Sequence, residues 1–155
     1  MAYSSDADLI KAQKDIMSLG VLSWEAQHSE AALIIDRALR VQWYEPLARY
    51  PRDDSSGLAV SGGFTYEQFD PEKLLDLLQL KRLSVYKTLE LSYLSVMMDS
   101  TENNPFKMKM EMFKELYDIE LVAVLQAGIT YDWDGSGDED QVETNIQRAP
   151  RVIMR

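Results

Sequence analysis

Apolar positions recur at helical spacing in four stretches of the chain. In the first, Leu9, Ala12, Ile16 and Leu19 fall three or four residues apart and share one face. Ser5 is placed to cap this helix, Asp6 and Asp8 suit the positive end of its dipole, and Gly20 suits its stop. The second stretch covers about 29–44, with Ala31, Ile34, Ile35, Ala38 and Val41 as its buried stripe. Pro46 closes it, and Trp43, Tyr44 and Leu47 form a bulky cluster at its end.

The third predicted helix is the longest. Asp70 is a good N-cap and Pro71 fits the first helical position, where a missing backbone donor costs nothing. The pattern then runs to about Met98, at about 1.5 Å per residue a length on the order of 40 Å. Leu74, Leu78, Val85, Leu89 and Tyr93 mark one seam, and Leu75, Leu83, Tyr86 and Leu94 widen it. So broad an apolar surface predicts burial on more than one side. Asn104 and Pro105 repeat the cap-plus-proline signal. From there Phe106, Met110, Phe113, Tyr117, Leu121 and Val124 mark a fourth helix that Gly128 is placed to end.

Between these stretches, PRDDSSGLAVSGG (51–63) is rich in turn formers and reads as a loop. Its Ser-Gly-Gly, without a following Gly-Lys-Ser, is no phosphate cradle. The expectation is an all-α fold: a bundle of about four helices over 1–130, followed at 131–155 by an acidic loop and an extended C-terminal tail. The third and fourth helices are rich in Met and Tyr. Stripes at helical spacing read first as core, and Met108 and Met112, which lie off the main seam, are the candidates for packing against other copies.

Composition narrows the function classes. A chain of 155 residues, 46% apolar and 27% charged, suits one soluble domain with a core of its own. Without cysteine there is no disulfide framework, thiolate metal site or cysteine nucleophile, which fits a reducing compartment. The N-terminal MAYSSDADLIKAQKDIM interleaves charges with apolar residues, unlike a signal peptide. No apolar run approaches the ~18 residues of a membrane span. A net charge of -10 disfavours wrapping around nucleic-acid phosphates. His28, the single histidine, reads as a surface or helix-entry residue, and no pair among the 26 carboxylates is distinctive. Nothing here nominates an enzyme.

The most chemical stretch is DWDGSGDEDQVE, 132–143. A calcium loop of the EF-hand type takes oxygens from positions one, three, five, seven, nine and twelve. Those positions hold Asp132, Asp134, Ser136, the Asp138 carbonyl, Asp140 and Glu143, with Gly137 where the loop must turn. Against this, Glu139 occupies a position that usually carries an aliphatic residue, there is no second loop, and Pro150 cuts short any exiting helix. Two readings therefore stand: a structural calcium site, or a solvated turn built by Asp-Gly and Ser-Gly. No other cofactor is implied.

The chain ends in RAPRVIMR, where Arg148, Arg151 and Arg155 flank Val152, Ile153 and Met154. Val-Ile after Pro150 favours an extended strand. Such a segment either adds to the sheet edge of an acidic partner or frays at the terminus.

Taken in order, YSSDADLIKA, AALIIDRALRVQWYEPLARY, LLDLLQLKRLSVYKTLELSYLSVMM, FKELYDIELVAVLQAGITYDWDGSG and the short basic tail span nearly the whole chain. This layout resembles the helical head–tail connector proteins of tailed bacteriophages, also called adaptor or head-completion proteins. The resemblance implies a helical protomer, made in the host cytoplasm, that joins a ring in the virion neck, commonly a dodecamer. In such a ring the C-terminal tail docks on the portal protein and the opposite end meets tail or collar proteins. Double-stranded DNA passes through the ring unread. By position the portal-docking role falls on Arg148, Arg151, Val152, Ile153, Met154 and Arg155. A lone calcium-binding protein and a small helical regulator that binds another protein are the alternatives. On the calcium reading, added calcium raises the melting temperature, and Asp132→Ala together with Glu143→Ala abolishes the rise. Thermal unfolding with calcium and with chelator checks this.

Overall fold

The structure, a computed structural model, describes residues 2–46, 69–97 and 104–132 together with Gly137. Among the described residues the fold is all-α, as the periodicity predicts, with four α-helices: α1 (Asp6–Ala12), α2 (Glu25–Leu39), α3 (Leu78–Val96) and α4 (Pro105–Ala127). The loop read at 51–63 lies outside the described residues.

α4 forms as its sequence predicts. The Asn104 side chain accepts from the Phe106 N–H, Pro105 takes the first turn, and Gly128, at φ 93°, ends the helix. Phe113, Tyr117, Leu121 and Val124 are buried along one face. α1 is shorter than its apolar pattern. Gln13 turns extended after Ala12, and Ile16–Leu19 re-enters as a separate 3-10 turn that Gly20 ends in the left-handed region at φ 81°. Leu9 and Ile16 are nevertheless both fully buried, reached from two short elements instead of one helix.

α2 begins at Glu25, a turn earlier than the pattern predicts, and passes into a π-helical stretch at Arg40–Tyr44. There the Glu45 N–H donates to the Arg40 carbonyl, five residues back. The wider turn brings both Trp43 and Tyr44 inward and leaves Val41 exposed, so Val41 is not part of the buried stripe. Helical backbone also runs through Pro46, where the sequence predicts a stop.

The largest departure is at α3. Asp70 and Pro71 do start a helical turn, with Asp70 accepting from the Glu72 N–H at 2.9 Å, but it is a 3-10 turn that ends at Lys73. Leu74 is extended and forms an antiparallel bridge to Tyr131. The Leu75 N–H donates to Thr130 at 3.1 Å, and the Asp132 N–H donates to Lys73 at 2.9 Å. The chain therefore exchanges intrahelical bonds for bonds to a segment that follows α4. α3 restarts at Leu78, whose N–H is accepted by the Asp76 carboxylate at 3.0 Å. This new start rotates the seam. Leu80 and Leu83 are fully buried, whereas Leu78 is 76% exposed and Leu94 is also exposed, contrary to their predicted places in the core.

α3 is the central helix, packed on α4 along its length, on α2, and on α1. One core cluster joins Ala32, Ile35 and Leu39 of α2 to Leu80 and Leu83 of α3 and Tyr117, Leu121 and Val124 of α4. A second joins Leu9, Ile16 and Trp24 to Val85, Leu89 and Tyr93 of α3 and Phe113 of α4. At the first cluster's edge Tyr131 meets Trp43, Tyr44 and Phe69 at centroid separations of 5.7, 5.5 and 5.8 Å. Its hydroxyl accepts from the Asp70 N–H at 3.1 Å. The ring thus fastens the ends of three segments, with aromatic pairs contributing about 0.5–1.5 kcal/mol each beyond burial.

The restarted α3 separates two leucines only two residues apart. Leu80→Ala is expected to lose about 2–5 kcal/mol by leaving a cavity, and Leu78→Ala to stay within about 0.5 kcal/mol. Urea unfolding of both variants measures the difference, and equal losses would contradict the observed seam.

Candidate functional site

Two features gather chemistry, a buried polar seam at the N-terminus and an outward apolar stripe on α4. The seam is built around His28 in the first turn of α2. Its ring is only 4% exposed, so it is a helix-entry histidine but not a surface one. Nε2 lies 3.2 Å from Asp6 Oδ1, and Nδ1 lies 2.8 Å from the Ser4 hydroxyl and 3.4 Å from that of Thr88. Ser4 in turn bonds Ser84 at 2.8 Å. With Nε2–H donating to Asp6, Nδ1 accepts from Ser4, and the Ser4 oxygen is left to accept from Ser84. Asp6 also accepts from the Trp24 N–H at 3.1 Å.

These are the residue types of a serine nucleophile, its base and an orienting acid. Their placement suits fastening instead. The imidazole nitrogens face protein, and the Ser4 hydroxyl is shared with α3. Ser84, Thr88 and Ser92 recur every four residues on α3, all fully buried, and Ser92 returns its hydroxyl to the Thr88 carbonyl at 2.7 Å. The seam ties the N-terminal segment to α2 and α3 together. Sequence reading missed it, although hydroxyls at helical spacing within an apolar surface were the available signal.

Neighbouring contacts add to the clasp. The Tyr3 hydroxyl donates to Asp36 of α2. Burial raises the Tyr3 pKa strongly, and the Asp36 carboxylate reinforces the rise. Burial raises Asp36 as well, more than the Tyr3 hydrogen bond lowers it. Asp8 accepts from the N–H and hydroxyl of Ser5 and pairs with Lys81 of α3 at 2.9 Å and Lys11 at 3.5 Å. Burial alone would raise its pKa, but the Lys81 and Ser5 hydrogen bonds and the Lys81 charge outweigh that and lower it to about 2.

The stripe lies on the far side of α4 from the core. Met108, Met112, Ile119 and Val122 are all exposed, Met108 at 63% and Ile119 at 60%. Their spacings of four, seven and three residues keep them on one side of a helix with about 3.6 residues per turn. The buried residues Phe113, Tyr117, Leu121 and Val124 occupy the opposite side, so α4 carries two apolar faces. Of the Met- and Tyr-rich set, Tyr93 and Tyr117 are core, Tyr86, Met97 and Met110 are half-buried, and Met108 and Met112 face out. Ile119 and Val122 extend the stripe beyond the two positions that the sequence suggested, at the same helical spacing.

Of the acidic loop, the described residues include Asp132 and Gly137. Asp132 is buried, and its Oδ2 accepts from the Gly137 N–H at 3.0 Å, with Gly137 at φ 84°. Asp134, Ser136, Asp138, Asp140 and Glu143 lie outside the described residues, as do Arg148, Arg151, Val152, Ile153, Met154 and Arg155. Among the described residues no group of three or more His, Cys, Asp or Glu could hold a metal ion. Nor, among them, is any helix long and apolar enough to cross a membrane. Comparison with protein-family models, curated proteins and solved structures finds no match.

The Asp8 clasp has a pH signature. Against burial, the Lys81 and Ser5 contacts hold its carboxyl down at about 2 in the fold, below its ordinary 3.8. A lowered folded value stabilises the fold above the unfolded pKa, and the contribution disappears as pH falls through 3.8 toward 2. Asp8→Asn is expected to cost about 1 kcal/mol at neutral pH after solvent screening. Urea unfolding at neutral pH and in steps down to about pH 2 should show the gap between the two proteins closing across that interval. A gap independent of pH would contradict the ion-pair account.

Proposed function

We propose that the protein is a structural assembly subunit, the ring-forming component of a tailed-bacteriophage head–tail connector. It acts through contact with its own copies, with the portal protein and with tail or collar proteins. One observation carries the subunit reading: the longest helix devotes its outer face to Met108, Met112, Ile119 and Val122 while its inner face already fills the core. A monomer gains nothing from such a stripe, whereas interface cores are enriched in residues of this kind, methionine among them. The connector identity draws on the order and texture of the helical segments along the chain.

Charge and anchoring fit the same role. A net charge of -10 lets a duplex pass a lumen without sticking to it. The clasp of Tyr3, Ser4, Asp6 and Asp8 and the Tyr131 cluster brace the bundle at both ends, as a subunit under load requires. In this proposal Arg148, Arg151, Val152, Ile153, Met154 and Arg155 dock on the portal, on the strength of their sequence.

Quantitative mass spectrometry of purified phage particles from the source, counting this chain against the portal protein, tests the proposal. Copy numbers close to parity are expected. Absence from particles would overturn the connector reading.

A further inference from the structure

A second face complements the α4 stripe. On α2, Leu33 is 71% and Val41 48% exposed, four residues either side of the exposed Arg37 and pointing away from the buried side of that helix. Arg40, in the π-helical stretch that continues α2, flanks them and is paired with Glu45 at 3.8 Å, which leaves Arg37 as the unpaired cation of this face among the described residues. On α4 the interleaved charges have the opposite sign: Glu111, Glu115 and Asp118 are all exposed and sit among or beside Met108, Met112, Ile119 and Val122. Glu30 on the α2 face has its counterpart in Lys114 at the edge of the α4 stripe. Neither Arg37 nor Glu111, Glu115 or Asp118 forms an ion pair among the described residues.

The two faces stand on different flanks of the protomer, because α3 packs between α2 and α4 and supplies the main contacts to both. The α2 flank sets two exposed apolar side chains and Arg37 opposite four exposed apolar side chains and three acids on the α4 flank. Neither matches itself: two α4 stripes would set Glu111, Glu115 and Asp118 against their own copies, and two α2 faces would set arginine against arginine. Like charges across an interface suppress a pairing that opposite charges favour.

We infer that the occupant of the α4 stripe is the α2 face of a second copy of this chain, in a head-to-tail contact. The contact rests on the subunit reading above and names its copy-to-copy interface. Each protomer that uses its α4 flank leaves its α2 flank free for the next, so the contact propagates. It closes into a ring if the rotation per step divides a full turn, and makes a filament if it does not. Apolar side chains supply the attraction, and the arginine–carboxylate pairs fix orientation.

The absence of cysteine makes a direct test possible. The full-length Leu33→Cys, Ile119→Cys double variant, oxidised at high protein concentration, is expected to give a ladder of dimers, trimers and higher multimers on non-reducing gels. Either single variant alone is expected to stay monomeric. Because both positions are exposed, these changes leave the core untouched. Adding Arg37→Glu should lower ladder yield by about tenfold, as attraction becomes repulsion. Adding Glu115→Arg to that variant should restore the ladder, which loss of folding would not allow. Dimers from Ile119→Cys alone would overturn the proposal in favour of a symmetric α4 contact. No cross-link in the double variant would overturn it outright. The subunit reading would still be decided separately, by the presence of the chain in particles.

Discussion

Burying a polar group costs free energy unless its hydrogen bonds are replaced, and this constraint organises the seam between α2 and α3. α3 presents Ser84, Thr88 and Ser92 to the interior with no exposure at all, and α2 presents His28 beside them. An unsatisfied buried group costs about 1–3 kcal/mol, so these cannot simply be covered by leucine. The N-terminal segment supplies partners for His28 and Ser84, while Thr88 lies against His28 and Ser92 bonds the Thr88 carbonyl. Ser4 reaches both His28 and Ser84, and Asp6 takes the other imidazole nitrogen while also receiving the Trp24 N–H. The short α1 follows, with Asp8 against Lys81 and Leu9 in the second core cluster. The position of α1 follows from polar satisfaction as much as from apolar burial.

At the other end of the bundle the same accounting applies to backbone groups. The chain leaves helical geometry at Leu74, which frees the Lys73 carbonyl and the Leu75 N–H, and Asp132 and Thr130 take them up. Tyr131 closes this pairing with its ring among Trp43, Tyr44 and Phe69 and its hydroxyl on the Asp70 N–H. Asp132 follows directly, held by its own backbone bond to Lys73.

What was legible in the sequence divides along the range of the interactions that decide it. α4 could be read almost whole, because Asn104, Pro105 and Gly128 act within a few residues of its ends and its core face repeats cleanly. α3 could not, because Leu74, Leu75, Leu77 and Leu78 continue the helical pattern while the partner that breaks it lies beyond α4. Periodicity counts apolar residues and is blind to which of two satisfying arrangements the backbone adopts. Of the two readings of His28, helix entry holds and surface exposure fails, for the same reason: its partners come from positions 4, 6 and 88, none of them local. Val41 failed through a single inserted residue per turn at Arg40–Tyr44, which rotates everything after it. On α4 the outward stripe was half visible. Met108 and Met112 lay off the seam, but Ile119 and Val122 were lost within a helix that is apolar on two sides.

That outward stripe poses a problem that its own charges answer. An uninterrupted apolar face on an exposed helix invites indiscriminate association. Here Glu115 sits between Met112 and Ile119, and Glu111 and Asp118 run alongside, within a chain whose net charge is already -10. Any other acidic surface is therefore repelled before apolar contact can form, including the same stripe on another copy. A face that brings positive charge to the right places escapes that repulsion, and in the proposed contact Arg37 of α2 supplies it. The stability that α4 gives up by exposing two methionines, an isoleucine and a valine is then converted into selectivity. The acids leave the attraction of the stripe intact and restrict which surfaces can use it.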